Sequence, residues 1–177
     1  DVIILQDYNK GVLTPSVIER VIKMANKDNI PTIVDPKHAN FTSYQNCTIF
    51  KPNLPEIKSG LNIDFNVNNI EEVKLASEQL RKFLNVKAVL LTLSENGICI
   101  NTENTFLHTQ AFKRNIVDIS GAGDTVISVA ALLLSSKISL EHLSILSNLA
   151  GGIVCEEVGV VPINKKKLLS EAIKLIN

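Results

Sequence analysis

Short runs of β-branched and aliphatic residues alternate along this chain with longer stretches whose apolar positions fall three and four residues apart. Continuous apolar runs of that length suit strands buried on both faces, and the longer period suits helices lying against them. The pattern therefore predicts an α/β fold, a mostly parallel sheet with helices on both faces. Residues 2–6 read as a first strand and 7–13 as a polar loop. Thr14 and Pro15 then cap and start a helix whose Val17, Val21, Met24 and Ala25 recur at helical spacing. Residues 32–34 and 48–50 read as the next strands. Asp35-Pro36-Lys37-His38 leaves the first of these, and residues 51–56 lead from the second into a short helix. Asn69, with Glu72 three residues later, predicts a capping box for a helix over 70–83. Residues 88–92 form a fourth strand, followed by Ser94–Gly97 and an antiparallel hairpin through 98–100 and 106–108. A β-like run over 115–120 closes on a glycine-rich turn, and the remainder is mainly helical, the last helix opening at Lys165-Lys166-Lys167.

Composition narrows the class. With 177 residues and 45% hydrophobic content, the chain is the size of one domain and can bury a substantial core. Lys plus Arg and Asp plus Glu balance at 18 each, so no electrostatic footprint for nucleic acid emerges. The apolar runs fall short of a membrane span, and no charged-then-apolar signal opens the sequence. Three well-separated cysteines, Cys47, Cys99 and Cys155, with no C-x-x-C, fit a reducing cytoplasm better than a disulfide framework. The first residue is Asp1 and a strand follows at once, which raises the expectation that a further N-terminal part precedes it.

Gly121-Ala122-Gly123-Asp124-Thr125, at the head of a long apolar helix, is the most informative stretch. Two glycines allow a bulky anion to approach outward-facing amides, and the helix N-terminus adds partial positive charge. Asp124, the only acid in the turn, stands where it can take a proton from a bound hydroxyl. The same residues also read as a tight turn with Asp124 stabilising the first helical turn. A dinucleotide fingerprint is excluded, because its third glycine would fall on Val126, and no G-x-x-x-x-G-K-[ST] occurs.

Other strand-end loops carry chemistry too. Asn53 and Glu56 share a face of one helical turn, offering an amide oxygen and a carboxylate toward hydrated Mg²⁺; they equally read as a turn residue and a first-turn charge. Asp35-Pro36-Lys37 brings a cation to phosphate or forms a solvated turn. Thr92, Ser94 and Gly97 supply hydroxyls and a close-approach backbone; they equally read as the residues of an ordinary hairpin. His38, His108 and His142 have no metal-ligand spacing and read as surface or packing residues. Ligands of open α/β sheets bind outside the strands' carboxyl ends, so these loops are expected to converge with the Gly121 turn.

The joint order of these pieces resembles the C-terminal half of the ribokinase-like (PfkB) family of carbohydrate kinases over nearly the whole chain. Asp118-Ile-Ser-Gly-Ala-Gly-Asp-Thr125 is similar to the family signature D-T-x-G-A-G-D, supported by Asn53-x-x-Glu56 and Asp35-Pro36. It departs at Ile119, which stands where the signature has threonine, with Ser120 adjoining the glycine. Asp7-Tyr8-Asn9-Lys10-Gly11 resembles the D-Y-x-K-G segment of heptose 7-phosphate kinases, as does Asp35-Pro-Lys37 followed by Phe41 and Tyr44. In bacteria that kinase often forms the first domain of a bifunctional enzyme of ADP-heptose synthesis for lipopolysaccharide. The motif H-x-G-H of the second, nucleotidyltransferase domain does not occur here. The resemblance makes residues 1–177 the nucleotide-binding and catalytic part of a ribokinase-like kinase domain, lacking the N-terminal sugar-binding part and lid.

What the resemblance implies is transfer of the γ-phosphoryl group of ATP to the anomeric hydroxyl of a sugar phosphate. Asp124 is then the base, and the amides around Gly121, Ala122 and Gly123 hold the phosphate oxygens. Asn53 and Glu56 organise Mg²⁺ and its waters. Thr92, Ser94 and Gly97 line the nucleotide's phosphate and ribose path, with Asn148 beside the adenine. Asp118 and Ser120, with backbone carbonyls of 157–159, build a site for a monovalent cation such as K⁺. Asp7, Lys10 and Lys37 face sugar or phosphate. ATP and a sugar phosphate are the expected partners, with a second copy or the preceding part of the same protein covering an open sheet edge. Another sugar or nucleoside acceptor, or a non-catalytic nucleotide-binding module, are the alternatives. The 177 residues alone are expected to lack useful sugar kinase activity.

Overall fold

The computed structural model describes residues 1–176. Six strands form one sheet in the order of the sequence: β1 (Ile3–Gln6), β2 (Thr32–Asp35), β3 (Ile49–Phe50), β4 (Ala88–Thr92), β5 (Ile98–Thr102) and β6 (Phe106–Thr109). The first four run parallel, with Ile3 beside Thr32 and Gln6 beside Asp35, while β4–β5 and β5–β6 are antiparallel. The mostly parallel sheet expected from the alternating pattern, with its antiparallel hairpin, is thus present, and β1 and β6 form its edges.

Side chains alternate across a strand, so each strand feeds two cores. Leu5, Val34, Phe50, Val89 and Leu91 face α1 (Pro15–Lys27), α2 (Leu54–Leu61) and α3 (Ile70–Leu84), which contribute Ile18, Ile22, Ile57, Val73, Leu80 and Leu84. Ile33, Ile49, Ala88 and Leu90 face the opposite way, onto Val126, Ile127, Ala130 and Ala131 of α4 (Ala122–Ser135) and Leu143 of α5 (Leu140–Val154). The last helix, α6 (Lys165–Ile176), packs Ala172 against Leu149 and Ile153 of α5. Lys165 does open it, as the charge run predicted. No described helix is long and apolar enough to cross a membrane, and the three cysteines are free and buried.

Three sequence expectations are corrected. In α1 the buried stripe is Ile18, Ile22 and Ala25, whereas Val17 and Met24 lie on the exposed side. Both sets fit a helical period, and only the position of the sheet chooses between them. Residues 115–120 are not a strand: Ile116, Val117 and Ile119 are exposed, and the segment is held outside the sheet by Val117 N–H donating to the Cys155 carbonyl at 2.8 Å. Asn69 caps α3 by accepting from Glu71 N–H at 3.2 Å, but Glu72 turns to the Asn69 amide and Asn66 N–H, so the reciprocal box is not closed.

Candidate active site

On the face covered by α4, the apolar positions end where the strands end. Two residues beyond Ile33, Ile49 and Leu90, the same alternation places Asp35, Lys51 and Thr92. Gln6, in register with Asp35, continues the row on β1. A line of polar side chains therefore lies under the N-terminus of α4, where ligands of parallel sheets bind.

The row is linked. Lys51 Nζ pairs with Asp35 Oδ1 at 2.9 Å, their side chains 3% and 8% exposed. Buried ions are retained when paired, because desolvation of either alone costs several kcal/mol. Gln6 Nε2 donates to Asp35 Oδ2 and, at 3.1 Å, to Oδ1 of Asp124. Tyr8 Oη lies 3.3 Å from both Asp124 oxygens. Burial, followed by the charge of Asp124, raises the Tyr8 phenol above its ordinary value.

Above this row, Gly121 takes a left-handed conformation, φ 78° and ψ 0°, and no side chain caps α4. A Cβ at Gly121 would also stand 3.0 Å from Val160 Cγ1. Glycine satisfies both the positive φ and the close approach. The absent side chain of Gly123 leaves Lys51 Nζ 3.8 Å from where its Cβ would be. Ala122 N–H, expected among the phosphate-holding amides, donates here to the Ile119 carbonyl at 3.2 Å. Asp124 sits exposed in the first turn of α4.

Asn53 and Glu56 form a closed capping box for α2. Glu56 N–H donates to Asn53 Oδ1 at 2.8 Å, and Asn53 N–H donates to Glu56 Oε2 at 2.9 Å. Lys37 Nζ reaches the other carboxylate oxygen, Oε1, at 2.9 Å. Burial works to lower the Lys37 ammonium, but the bond and charge of Glu56 outweigh it and raise it. Thr92 lies alongside, its N–H donating to the Pro52 carbonyl at 3.1 Å, in a parallel bridge with Asn53.

Ser94 (φ 54°) and Gly97 (φ 88°) form the turn after β4. A Cβ at Gly97 would meet the Thr109 carbonyl at 2.1 Å. Asn148, on α5, donates to the Gln110 carbonyl at 2.9 Å. Gly97 and Asn148 thus meet at the exit of β6, at the same end of the sheet as the Gln6–Asp124 row but at the opposite edge from β1. The Asp118 carboxylate accepts from Ser120 N–H and from Gly159 N–H, both at 2.9 Å, which ties 118–120 to the loop containing 157–159. Those bonds, Ser120's foremost, hold it below the usual carboxylate range.

Asp7 is buried and organises its own loop. It accepts from Asn9 N–H at 2.7 Å, Asn40 Nδ2 at 3.1 Å and the hydroxyl of fully buried Tyr44 at 2.7 Å. Burial works to raise this carboxyl, yet the three donors, Tyr44 first, hold it below its ordinary value. Lys10 stands exposed on the same loop. Sequence reasoning singled out Asp124, Asp35 and the Asn53–Glu56 pair but missed Gln6 and Lys51. The signal for Lys51 was a cation two positions after a buried isoleucine, in phase with the strand.

Residues 2–167 match the pfkB family carbohydrate kinases. The bifunctional protein HldE of Koribacter versatilis is 37% identical over 170 residues, 96% of this chain and 35% of that protein. The protein of the same name from Syntrophotalea carbinolica is 35% identical over 173 residues, 95% of this chain and 34% of its own length. The chain spans about a third of these relatives. Phosphofructokinase-2 from Escherichia coli, in complex with potassium, superposes with a TM-score of 0.89 at 18% identity, covering 99% of this chain and 57% of that one. Ribokinase from Arabidopsis thaliana, complexed with ribose and ATP, gives 0.80 at 21%, covering 98% and 55%. These structural likenesses establish a ribokinase-like fold. Together with the family match over almost the whole sequence, they conclude the assignment: the chain belongs to the pfkB family of carbohydrate kinases.

Proposed function

We propose that this chain is the nucleotide-binding and catalytic part of a kinase that transfers the γ-phosphoryl group of ATP to the anomeric hydroxyl of heptose 7-phosphate. The observation that carries the reading is Asp124, exposed in the first turn of α4 beside an uncapped, glycine-bounded helix N-terminus. The acceptor oxygen attacks the γ-phosphorus while the bond to the β,γ-bridging oxygen breaks. ADP leaves with that electron pair, and the hydroxyl proton passes to an oxygen of Asp124. Little covalent work falls to the protein, so positioning and charge neutralisation supply the rate. The helix N-terminus and Lys51, beside Gly123, place positive charge where the transferring group's oxygens gather. Loop 7–13, held by Asp7 and carrying Lys10, forms the acceptor side, and its D-Y-x-K-G sequence supports a heptose phosphate. The HldE relatives accord with that choice.

Mg²⁺ belongs to the same proposal. Among the described residues no three His, Cys, Asp or Glu side chains gather to hold a metal. Both Glu56 oxygens and the Asn53 amide oxygen already accept one hydrogen bond each. Carboxylate oxygens have capacity to spare, and Mg²⁺ characteristically keeps several waters, so the pair fits a hydrated ion held largely through water. Mg²⁺ bound with the nucleotide neutralises phosphate charge. Asp118, Ser120 and the carbonyls of 157–159 are assigned to a monovalent cation, K⁺, while Thr92, Ser94, Gly97 and Asn148 take the nucleotide.

The test is ADP release by the full-length protein with and without heptose 7-phosphate, in the natural form and in Asp124→Asn. Sugar-stimulated release should fall by about 10²–10⁴ in the variant, the usual worth of a general base, while ATP affinity stays within a few-fold. Stimulation by another sugar or a nucleoside, but not by heptose 7-phosphate, would reassign the acceptor. Undiminished turnover in Asp124→Asn would remove the base.

A further inference from the structure

Asp124 is an exposed side chain on a helix, free by itself to populate several rotamers. Its closest donor is Gln6 Nε2, 3.1 Å from Oδ1; the Tyr8 hydroxyl, 3.3 Å from both oxygens, is beyond good hydrogen-bonding distance. Gln6 is itself anchored. It ends β1, pairs in register with Asp35, and donates from the same Nε2 to Asp35 Oδ2. Asp35 is in turn fixed by buried Lys51. Two carboxylates face one side-chain amide, so only its NH₂ group fits between them, and its two hydrogens serve one each.

We infer that Gln6 is a positioning residue for phosphoryl transfer: it fixes Oδ1 of Asp124 from the buried Lys51–Asp35 pair and leaves Oδ2 to receive the acceptor's proton. The inference rests on the reading of Asp124 as the base. A neutral amide suits the task. A lysine or arginine at that distance would also orient the carboxylate, but its charge would strongly favour the ionised form and weaken the base, whereas an amide does so far less. The Gln6 amide nitrogen is committed to the two carboxylates, so its removal should affect the chemical step and leave ground-state binding intact.

The experiment compares the full-length protein, Gln6→Met, Asp124→Asn and the double variant, measuring kcat, KM for ATP, ATP affinity and Tm. Gln6→Met retains length and strand position. Its kcat should fall about ten- to hundred-fold, the scale of a misplaced catalytic group, with KM for ATP and ATP affinity within two-fold. In the Asp124→Asn background the same change should lower kcat no further, since its effect passes through Asp124. Gln6→Glu, which keeps the shape but places an acceptor between two carboxylates, should lose at least as much. Unchanged kcat in Gln6→Met overturns the inference. So does an equal loss in both backgrounds, or a loss that appears only with weakened ATP binding and a lowered Tm. Survival of turnover in Asp124→Asn alone identifies failure of the base assignment, and the inference falls with it.

Discussion

The sequence N-x-x-E occurs at Asn53–Glu56 and again at Asn69–Glu72, each time in front of a helix, and the two copies have different fates. At α2 the pair closes a reciprocal box in a half-buried setting, with Lys37 on its free oxygen and Thr92 alongside. At α3 the asparagine caps alone, and Glu72 bonds to Asn66 N–H and the Asn69 amide on the exposed surface. Four residues specify a helix start in both places. Only the first stands at the carboxyl ends of parallel strands, beside a cation and across from the α4 turn. Whatever chemistry a local motif can take part in is set by where the sheet delivers it, not by its own letters.

The contrast is broken most forcefully by Glu56→Gln against Glu72→Gln. In the full-length protein, Glu56→Gln should reduce turnover by about 10²-fold or more and weaken the Mg²⁺ dependence of ATP binding, on the scale of losing one electrostatic stabiliser of the transition state. Glu72→Gln should leave both within two-fold. Equal effects in initial-rate and calorimetric measurements would show that the first box is only a cap.

Stability gives a smaller test. Asn53→Ala and Asn69→Ala each remove a helix cap, for which about 0.5–2 kcal/mol is usual. Asn53→Ala should lie toward the upper end, because its box is reciprocal and its Glu56 partner is held by Lys37. Urea unfolding of the two variants decides it; a larger loss at Asn69 would reverse the ranking.

The smallest effect concerns pH and extends the contrast to Asp7, buried at the cleft end, and exposed Asp64, whose carboxyl is lowered chiefly by its bond from Lys58. Asp7 has a lowered folded value, so its contribution is complete above the unfolded value of about 3.9 and is lost as pH falls through the folded one. Asp7→Asn should therefore flatten the loss of Tm between about pH 4 and pH 2 more than Asp64→Asn does. An equally steep acid loss in Asp7→Asn would mean that its three donors favour neither protonation state.

Much of this was open to reading in one dimension. The order of strands and helices, the Thr14–Pro15 start of α1, the hairpin of β5 and β6, and the special turn at Gly121 follow from periodicity, capping chemistry and glycine's access to positive φ. These are local rules, and local residues suffice to apply them. The 115–120 run was misread because its alternation is that of a strand, while its exposed isoleucines and valine pack on no layer of the sheet. The buried stripe of α1 was likewise ambiguous until the sheet stood beside it.

The sequence by itself determined most of the elements and the residues at the Gly121 turn, because these depend on neighbours within a few positions, and the family, because the order of its motifs along the chain is itself a one-dimensional property. Tertiary structure alone decided that Gln6, Asp35, Lys51 and Asp124, separated by as many as 118 residues, would share one hydrogen-bonded row. That row exists because parallel strands in register bring their carboxyl ends to one line, and α4 packs its first turn over it. No spacing rule along the chain encodes such a meeting, since each residue reaches it on a separate element and only burial of the shared apolar face fixes their order.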